Sequence, residues 1–445
     1  MEQTALTYLC PDCMAYLRYD GKEQKWVCDY CGGKFTREEL EQRGTETKQD
    51  DYEVKPRAEA AENTAEISYH YEENITETDE DLSHLRAYHC PSCGGEIVTD
   101  DVTAATFCVF CGNPTILPTQ LEGEYRPSAI LPFETDKEDA RKAFLQLCKG
   151  KRLLPKGYTS EQRLEKITGV YVPFWLYDGS VEGSGTFECR NERTYRSGDE
   201  EVTRTTVYEA YRAGDLDFER VPVDGSAKMP DGHMDAIEPY DFDEMKPFSV
   251  AYLPGYVAER YDEDSKACSN RAEERMRHSF EYDLRATITG YDYVDTGIVH
   301  STTQMTGCMQ ALLPVWMLHT TWEGNDYLFA MNGQTGRFVG DLPVAKFKVA
   351  AWFFGIFVAL AAVLFGLDMG VFQFDDTLAS VFVDGVIPAV VAAFACIVFY
   401  NQMKTAEVAS DARVYRSFEG LNLTGESEHF VREYETRRRI EKSDD

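Results

Sequence analysis

Two stretches of this chain repeat one cysteine spacing, and nothing else in it narrows the possible folds so far. "CPDCMAYLRYDGKEQKWVCDYCGG" begins at Cys10 and "CPSCGGEIVTDDVTAATFCVFCGN" at Cys90. In each, a C-x2-C pair is followed by fourteen residues and a second C-x2-C pair. Two such pairs on separate hairpins deliver four thiolates to one tetrahedral ion without strain, and a ribbon this small does not fold without its metal. The spacing therefore predicts two structural Zn2+ sites, one of Cys10, Cys13, Cys28 and Cys31 and one of Cys90, Cys93, Cys108 and Cys111. Iron in a rubredoxin-like site would take the same ligands, and the spacing does not separate the two metals. Four cysteines leave no open coordination position, and neither stretch carries a glutamate placed as a base, so neither zinc is expected to be catalytic.

The two ribbons differ at their turns. Gly94, Gly95 and Gly112 follow the cysteine pairs of the second ribbon, where the chain must turn so that backbone N–H groups face sulfur. In the first ribbon Gly32 and Gly33 follow Cys31, but Met14 and Ala15 follow Cys13, so that knuckle is expected to be looser.

Charge bounds the partners. The formal net charge is −32, and the second ribbon from Cys90 to Asn113 contains no Lys or Arg, so nucleic acid is not an expected partner. The start "MEQTALTYLCPDC" has neither a basic nor an apolar run, so a signal peptide is not expected, and the cysteines are read as reduced or metal-bound in the cytoplasm.

Val349 to Leu367 is a run of nineteen residues without a charge, long enough to span a bilayer as a helix. A second run, Ala379 to Tyr400, is interrupted only by Asp384 near its start. The competing reading is a buried helical hairpin in a soluble core. Lys346 and Lys348 precede the first run and Lys404 follows the second, whereas the connecting segment carries only acids. The positive-inside rule then puts both termini in the cytoplasm, with a two-span hairpin in the cell membrane.

Between the ribbons, Glu46 to Asp81 holds thirteen acids against Lys48, Lys55 and Arg57, the composition of a flexible acidic linker, and the ribbons are expected to be separate beads. From Pro127 to Gly340, apolar and polar residues alternate between turn signals, which predicts a mainly antiparallel sheet with a few helices. One helix runs through "DKEDARKAFLQLCKG", with Asp136 as N-cap and Gly150 as stop; another runs from Ser265 to Leu284 with Met276, Phe280 and Leu284 on one face. "PFWLYDGSVEGSG" from Pro173 and "PVWMLHTTWEGND" from Pro314 align Trp175 with Trp316 and Gly183 with Gly324, as two related halves of a sheet would. The acid-rich "DGHMDAIEPYDFDEM" lacks calcium-loop spacing and reads as a solvated loop; Lys404 to Asp445 reads as a charged helical tail.

The fold class is therefore multidomain: two small β zinc ribbons, an α+β central domain with mainly antiparallel sheet, and a C-terminal two-helix transmembrane hairpin. The expected boundaries are ribbon 1–36, linker 37–86, ribbon 87–118, central domain 119–345, hairpin 346–403 and tail 404–445. No phosphate loop, nucleophile elbow or H-E-x-x-H motif is present, and His233, His278, His300 and His319 are scattered, so no enzyme is expected.

The second ribbon, "PSAILPFETDKEDA", "ITGVYVPFWLYDG", "AMNGQTGRFVGDLP" and a closing apolar hairpin, in that order, resemble a family of bacterial TFIIB-type zinc-ribbon membrane proteins, sometimes described as primosomal helicase-like or phage replication proteins. The resemblance covers roughly Cys90 to Tyr400; the N-terminal ribbon and its spacer are additional. It implies a membrane-anchored adaptor that recruits a cytoplasmic protein, of the SPFH or phage-shock scaffold type, in an envelope-stress system. Nucleic-acid binding by the ribbons and an enzyme site without a known motif are the alternatives.

Overall fold

The structure is a computed structural model that describes residues 8–43, 85–89, 96–100, 102–107, 114–117, 121, 125–367, 381–404 and 412–439. The first strands are β1 (Leu17–Asp20), β2 (Lys25–Cys28) and β3 (Lys34–Phe35), followed by α1 (Arg37–Arg43). Four short strands follow: β4 (Leu85–His89), β5 (Glu96–Asp100), β6 (Thr103–Phe107) and β7 (Pro114–Ile116). Next come β8 (Ala129–Ile130), α2 (Lys137–Cys148), α3 (Glu161–Leu164), β9 (Thr168–Ser197), β10 (Glu200–Asp224) and α4 (Asp231–Ala236). They are followed by β11 (Lys246–Pro247), β12 (Val257–Glu259), α5 (Ser265–Ala286), β13 (Tyr293–Val294), β14 (Ile298–Trp322), β15 (Asn325–Asn332) and β16 (Phe338–Gly340). The chain closes with α6 (Lys346–Leu367), α7 (Ile387–Asn401) and β17 (Asn422–Arg439).

These elements form two compact units, and the division is not collinear: residues 249–260 belong with residues 1–126, and the remainder forms the second unit. In the first unit, β1, β2 and β3 make an antiparallel sheet whose core is aromatic. Tyr19, Trp26 and Tyr252 stack with ring centroids 4.9, 5.1 and 5.7 Å apart. Trp26 Nε1 donates to Ala251 O at 2.6 Å, and Tyr19 N to Pro254 O at 2.8 Å. The same segment continues as β12, which pairs antiparallel with β6, and Arg260 N donates to Val102 O at 2.8 Å. The first ribbon is thus no separate bead. It is too small to cover its own tryptophan and borrows a wall from a segment more than two hundred residues away.

The second unit is built on a mostly antiparallel sheet in the order β11, β8, β14, β9, β10, β17, with β15 and β16 continuing from β14. β9 and β10 form a long hairpin registered from Glu200↔Ser197 to Asp224↔Phe174. β8 runs parallel to its neighbour β14, and the other pairs of this order are antiparallel among the described residues. Helix α2 has Asp136 as N-cap in a capping box with Asp139, and Phe144 packs edge-on against Phe329 at 5.3 Å. Helix α5 lies against β9, β10 and β14 and buries Met276, Phe280 and Leu284 as its periodicity predicts.

The Pro-x-Trp segments lie on β9 and β14, adjacent antiparallel strands, with Pro173 opposite Leu312 and Pro314 opposite Tyr171. Their glycines answer to different constraints. A Cβ on Gly183 would meet His300 O at 2.5 Å between the two strands, whereas Gly324 sits in a hairpin turn at φ +79° after Glu323 at φ +49°. Two expectations need correction. The expected helical tail is a strand over Asn422–Arg439. From Asp215↔Asn422 to Glu200↔Arg439 it pairs with the otherwise open edge of β10, where backbone hydrogen bonds outweigh the i,i+4 charge pairs that favoured a helix.

The second correction concerns "DGHMDAIEPYDFDEM". This stretch is not a solvated loop: Asp235 and Glu238 are buried and face Arg271 and Arg275 of α5. Arg275 is bidentate to Glu238 at 3.0 and 2.5 Å and also donates to Pro222 O at 2.6 Å. Arg271 bridges Asp224 at 3.1 Å and Asp235 at 3.0 Å. Along the buried face of α5, Ser279 and Asp283 follow Arg275 at four-residue steps and hold the returning chain. Ala412 N donates to Ser279 Oγ at 2.6 Å and Arg416 to Asp283 at 2.7 Å.

Helices α6 and α7 pack against each other, with Trp352 and Phe399 edge-on at 5.4 Å. A π turn, Phe382–Val386, containing Asp384, leads into α7. Both helices, Lys346–Leu367 and Phe382–Asn401, are long and apolar enough to cross a membrane, with 0% and 17% of their apolar windows buried. The expected spans at 349–367 and 379–400 fall on them, except for residues 379 and 380, which lie outside the described residues. Most of the expected linker, residues 44–84, also lies outside them, while residues 37–43 form α1.

Removing one partner of the buried pair leaves an uncompensated charge, so Arg275→Ala should cost about 3–5 kcal/mol. Arg437→Ala on the exposed strand should stay within about 0.5 kcal/mol; urea unfolding in detergent measures both. Burial pushes the Asp224 carboxyl up to about 7, against the opposing pull of Arg271. A carboxyl raised in the folded state binds a proton that the unfolded chain has already released, so stability should fall as pH rises from about 4 to 7. Asp224→Asn should remove that component, read as a flatter midpoint-against-pH curve over this window.

Candidate metal centre

The first ribbon's four cysteines are brought together by two turns with the same hydrogen bonds. In the first, Cys10 N donates to Ala15 O at 2.6 Å and Met14 N to Cys10 O at 2.9 Å. In the second, Cys28 N donates to Gly33 O and Gly32 N to Cys28 O, both at 2.9 Å. Each turn is closed by an antiparallel pair one residue outside it, Leu9↔Tyr16 and Val27↔Lys34. The residue after the second cysteine is left-handed in both, Met14 at φ 62° and Gly32 at φ 73°. The first knuckle is therefore no looser than the second; it has the same form, held by a non-glycine residue in a strained conformation.

The four sulfurs lie within 4.8 Å of one another, with Cys10 and Cys31 at 3.6 Å and Cys13 and Cys28 at 3.5 Å. A tetrahedral ion with metal–sulfur bonds of about 2.3 Å requires sulfurs about 3.8 Å apart. The set could hold one metal ion. Cys10 and Cys28 are buried, Cys13 half-buried and Cys31 exposed, as expected of a ligand set under the skin of a small ribbon.

Backbone geometry already discriminates among the thiols. Burial would raise Cys28, but the N–H groups of Cys31 and Tyr30 aimed at its sulfur prevail and bring it down to about 7. At Cys13 the Ala15 N–H pulls downward, and burial together with the three neighbouring thiols overrides it, pushing it up to about 12. Four sulfurs in contact cannot all ionise without a cation between them, so binding must release protons and weaken in acid. The carboxylates nearest in sequence are held by arginines: Asp12 by Arg43 at 2.9 Å and Asp29 by Arg18 at 3.0 Å.

Cys90, Cys93, Cys108 and Cys111 lie outside the described residues, as do His70 and His84. The strands on either side are described. His89 pairs with Glu96 and Phe107 with Pro114, each pair just outside a C-x2-C, the same offset as in the first ribbon. Tyr88 and Leu117 pack together in a buried cluster. The other histidines are not gathered: His233 lies on α4 beside Leu328 O at 3.1 Å, His278 on α5, and His300 and His319 on β14. Among the described residues the N-terminal cysteines are the only group of three or more metal-ligating side chains.

If the left-handed strain at Met14 is as described, Met14→Gly should tighten metal binding by about 1 kcal/mol, near five-fold. Cobalt(II) titration of the full chain measures it, and an unchanged or weaker affinity would refute the strain.

No family model matches the chain, and no solved structure matches it. A Bacillus subtilis (strain 168) protein, "Uncharacterized protein YdjG", is 35% identical over 335 residues, which cover 64% of this chain and 98% of YdjG. Coverage of nearly the whole relative at that identity makes this chain a member of the same family as YdjG.

Proposed function

We propose that the chain is a membrane-anchored adaptor, in which two zinc ribbons and a sheet domain stand on the cytoplasmic side of a two-helix membrane hairpin and dock a protein partner. The observation that carries this reading is the pair α6 and α7, whose apolar side chains face outward with 0% and 17% of their windows buried. A hairpin buried in a soluble core would hide them; a bilayer is the solvent they suit. Within the second unit, Leu342 N to Met403 O at 2.9 Å joins the entry of α6 to the exit of α7, and Ala345 N to Leu153 O at 2.9 Å ties that end to the loop after α2.

Zinc suits the ligand set because a closed tetrathiolate is a structural site with nothing to activate. The matched strand offsets around both C-x2-C pairs of the second ribbon support a second zinc there. The partner class, a cytoplasmic scaffold of the SPFH or phage-shock type, comes from the TFIIB-type zinc-ribbon resemblance. Docking rather than catalysis agrees with arginines and acids that pair with each other in the interior.

Metal analysis of the purified chain should give two zinc per chain, falling to one in Cys28→Ser and in Cys108→Ser; iron would overturn the zinc assignment. Crosslinking in intact membranes followed by detergent purification should recover a cytoplasmic scaffold protein, lost in either variant. A chain recovered alone from every extraction would overturn the adaptor.

A further inference from the structure

The loop that follows α2 carries Lys149, Lys151, Arg152 and Lys156 within eight residues. It is folded against the bases of α6 and α7. Lys151 donates to Gln402 O, and Lys348, from the start of α6, donates to Leu154 O at 2.6 Å. The Arg152 guanidinium lies over the paired rings of Trp352 and Phe399, 5.1 and 4.6 Å from their centroids. Lys346 stands at the first turn of α6, and Lys404, just past α7, lies 5.6 Å from the Tyr400 ring.

Seven cations thus lie at one end of the helix pair or on the loop folded against it, in a chain of net charge −32. Among the described residues none of the seven has a carboxylate partner. Elsewhere in the second unit Arg271 and Arg275 are matched by acids, and Arg163, Arg220 and Arg337 spend their N–H groups on backbone or hydroxyl oxygens of the protein itself. Arg152 is the most informative. A planar guanidinium stacked on aromatic rings keeps its N–H edge free, and that edge fits a phosphate. Lys149 also borders a shallow groove of about 460 Å3 with Lys142, Leu145 and Leu154, so cations adjoin apolar surface as a headgroup and its chain require.

We propose that this collar binds the phosphate of anionic phospholipid headgroups, with Arg152, Lys149 and Lys156 as the principal contacts. The proposal rests on the membrane reading of α6 and α7, and it adds a lipid preference that the apolar helices alone do not supply. Lys151 and Lys348 tie the loop to the helix ends and so position the collar. Lys346 and Lys404 complete it on the helices themselves.

The test uses the full chain in detergent, with phosphatidylglycerol and phosphatidylcholine as probes and bound lipid counted by native mass spectrometry. The chain should retain phosphatidylglycerol in preference. K149Q/K156Q, which removes two exposed side chains, should weaken that preference on the order of ten-fold, and R152Q by about five-fold. Equal retention of the two lipids, or a preference unchanged in both variants, would overturn the collar. So would displacement of phosphatidylglycerol by equimolar inorganic phosphate, which would make it a free-anion site. Alkaline carbonate extraction of native membranes separates the premises: release of the chain refutes the membrane reading, and retention without a phosphatidylglycerol preference refutes the collar alone.

Discussion

The bidentate pair between Arg275 and Glu238 is the interaction on which the second unit is organised. Both residues are almost fully buried, at 4% and 5% exposure, so neither charge is tolerable without the other. Satisfying the pair fixes helix α5 over the sheet, draws the segment after α4 inward, and occupies Pro222 O near the end of β10. Once α5 is set, Ser279 and Asp283 present hydrogen-bonding groups to the chain returning from α7. That return delivers residues 422–439 to the edge of β10. An interior charge pair thus decides where an exposed strand begins.

Much of this is written in local patterns that sequence reading handles well. The C-x2-C spacing, the capping residue Asp136, the stripe of Met276, Phe280 and Leu284, and the two uncharged runs each depend on residues within a few turns of one another. The parts that were missed depend on partners far along the chain. Whether 422–439 is helix or strand is undecided by its own alternation of Glu and Arg; the open edge of β10 decides it. The stripe Arg275, Ser279, Asp283 was a readable signal, since polar residues at four-residue steps beside an apolar face mean a buried polar seam, but its acids lie in a segment that looks like a loop.

The first ribbon shows the same limit in its core. Trp26 and Tyr19 sit on β strands whose nearby apolar residues, Leu17, Val27, Phe35 and Leu40, are too few to enclose them, and the cover is completed by Tyr252 with the backbone of 251–254. Two large aromatics in so small a sheet imply a missing wall, although not its address. The knuckle at Met14 was misjudged for a different reason. Glycine is favoured at a left-handed position but not required there, because two hydrogen bonds and metal ligation can hold a larger residue in place.

Charge placement follows one rule in both settings. In the interior, water cannot screen an arginine, so folding supplies a carboxylate for each: Glu238 for Arg275, Asp224 and Asp235 for Arg271. At the bases of α6 and α7, Arg152 and its neighbouring lysines carry no such partners among the described residues, although acids outnumber bases 77 to 45 in the chain. With acids so abundant, cations gathered without such partners at one end of an apolar helix pair are the observation behind the proposed phospholipid collar. Under the proposed membrane reading, an anionic headgroup surface would repel carboxylates over roughly a Debye length of 8 Å, which agrees with a collar whose cations have no carboxylate partner among the described residues.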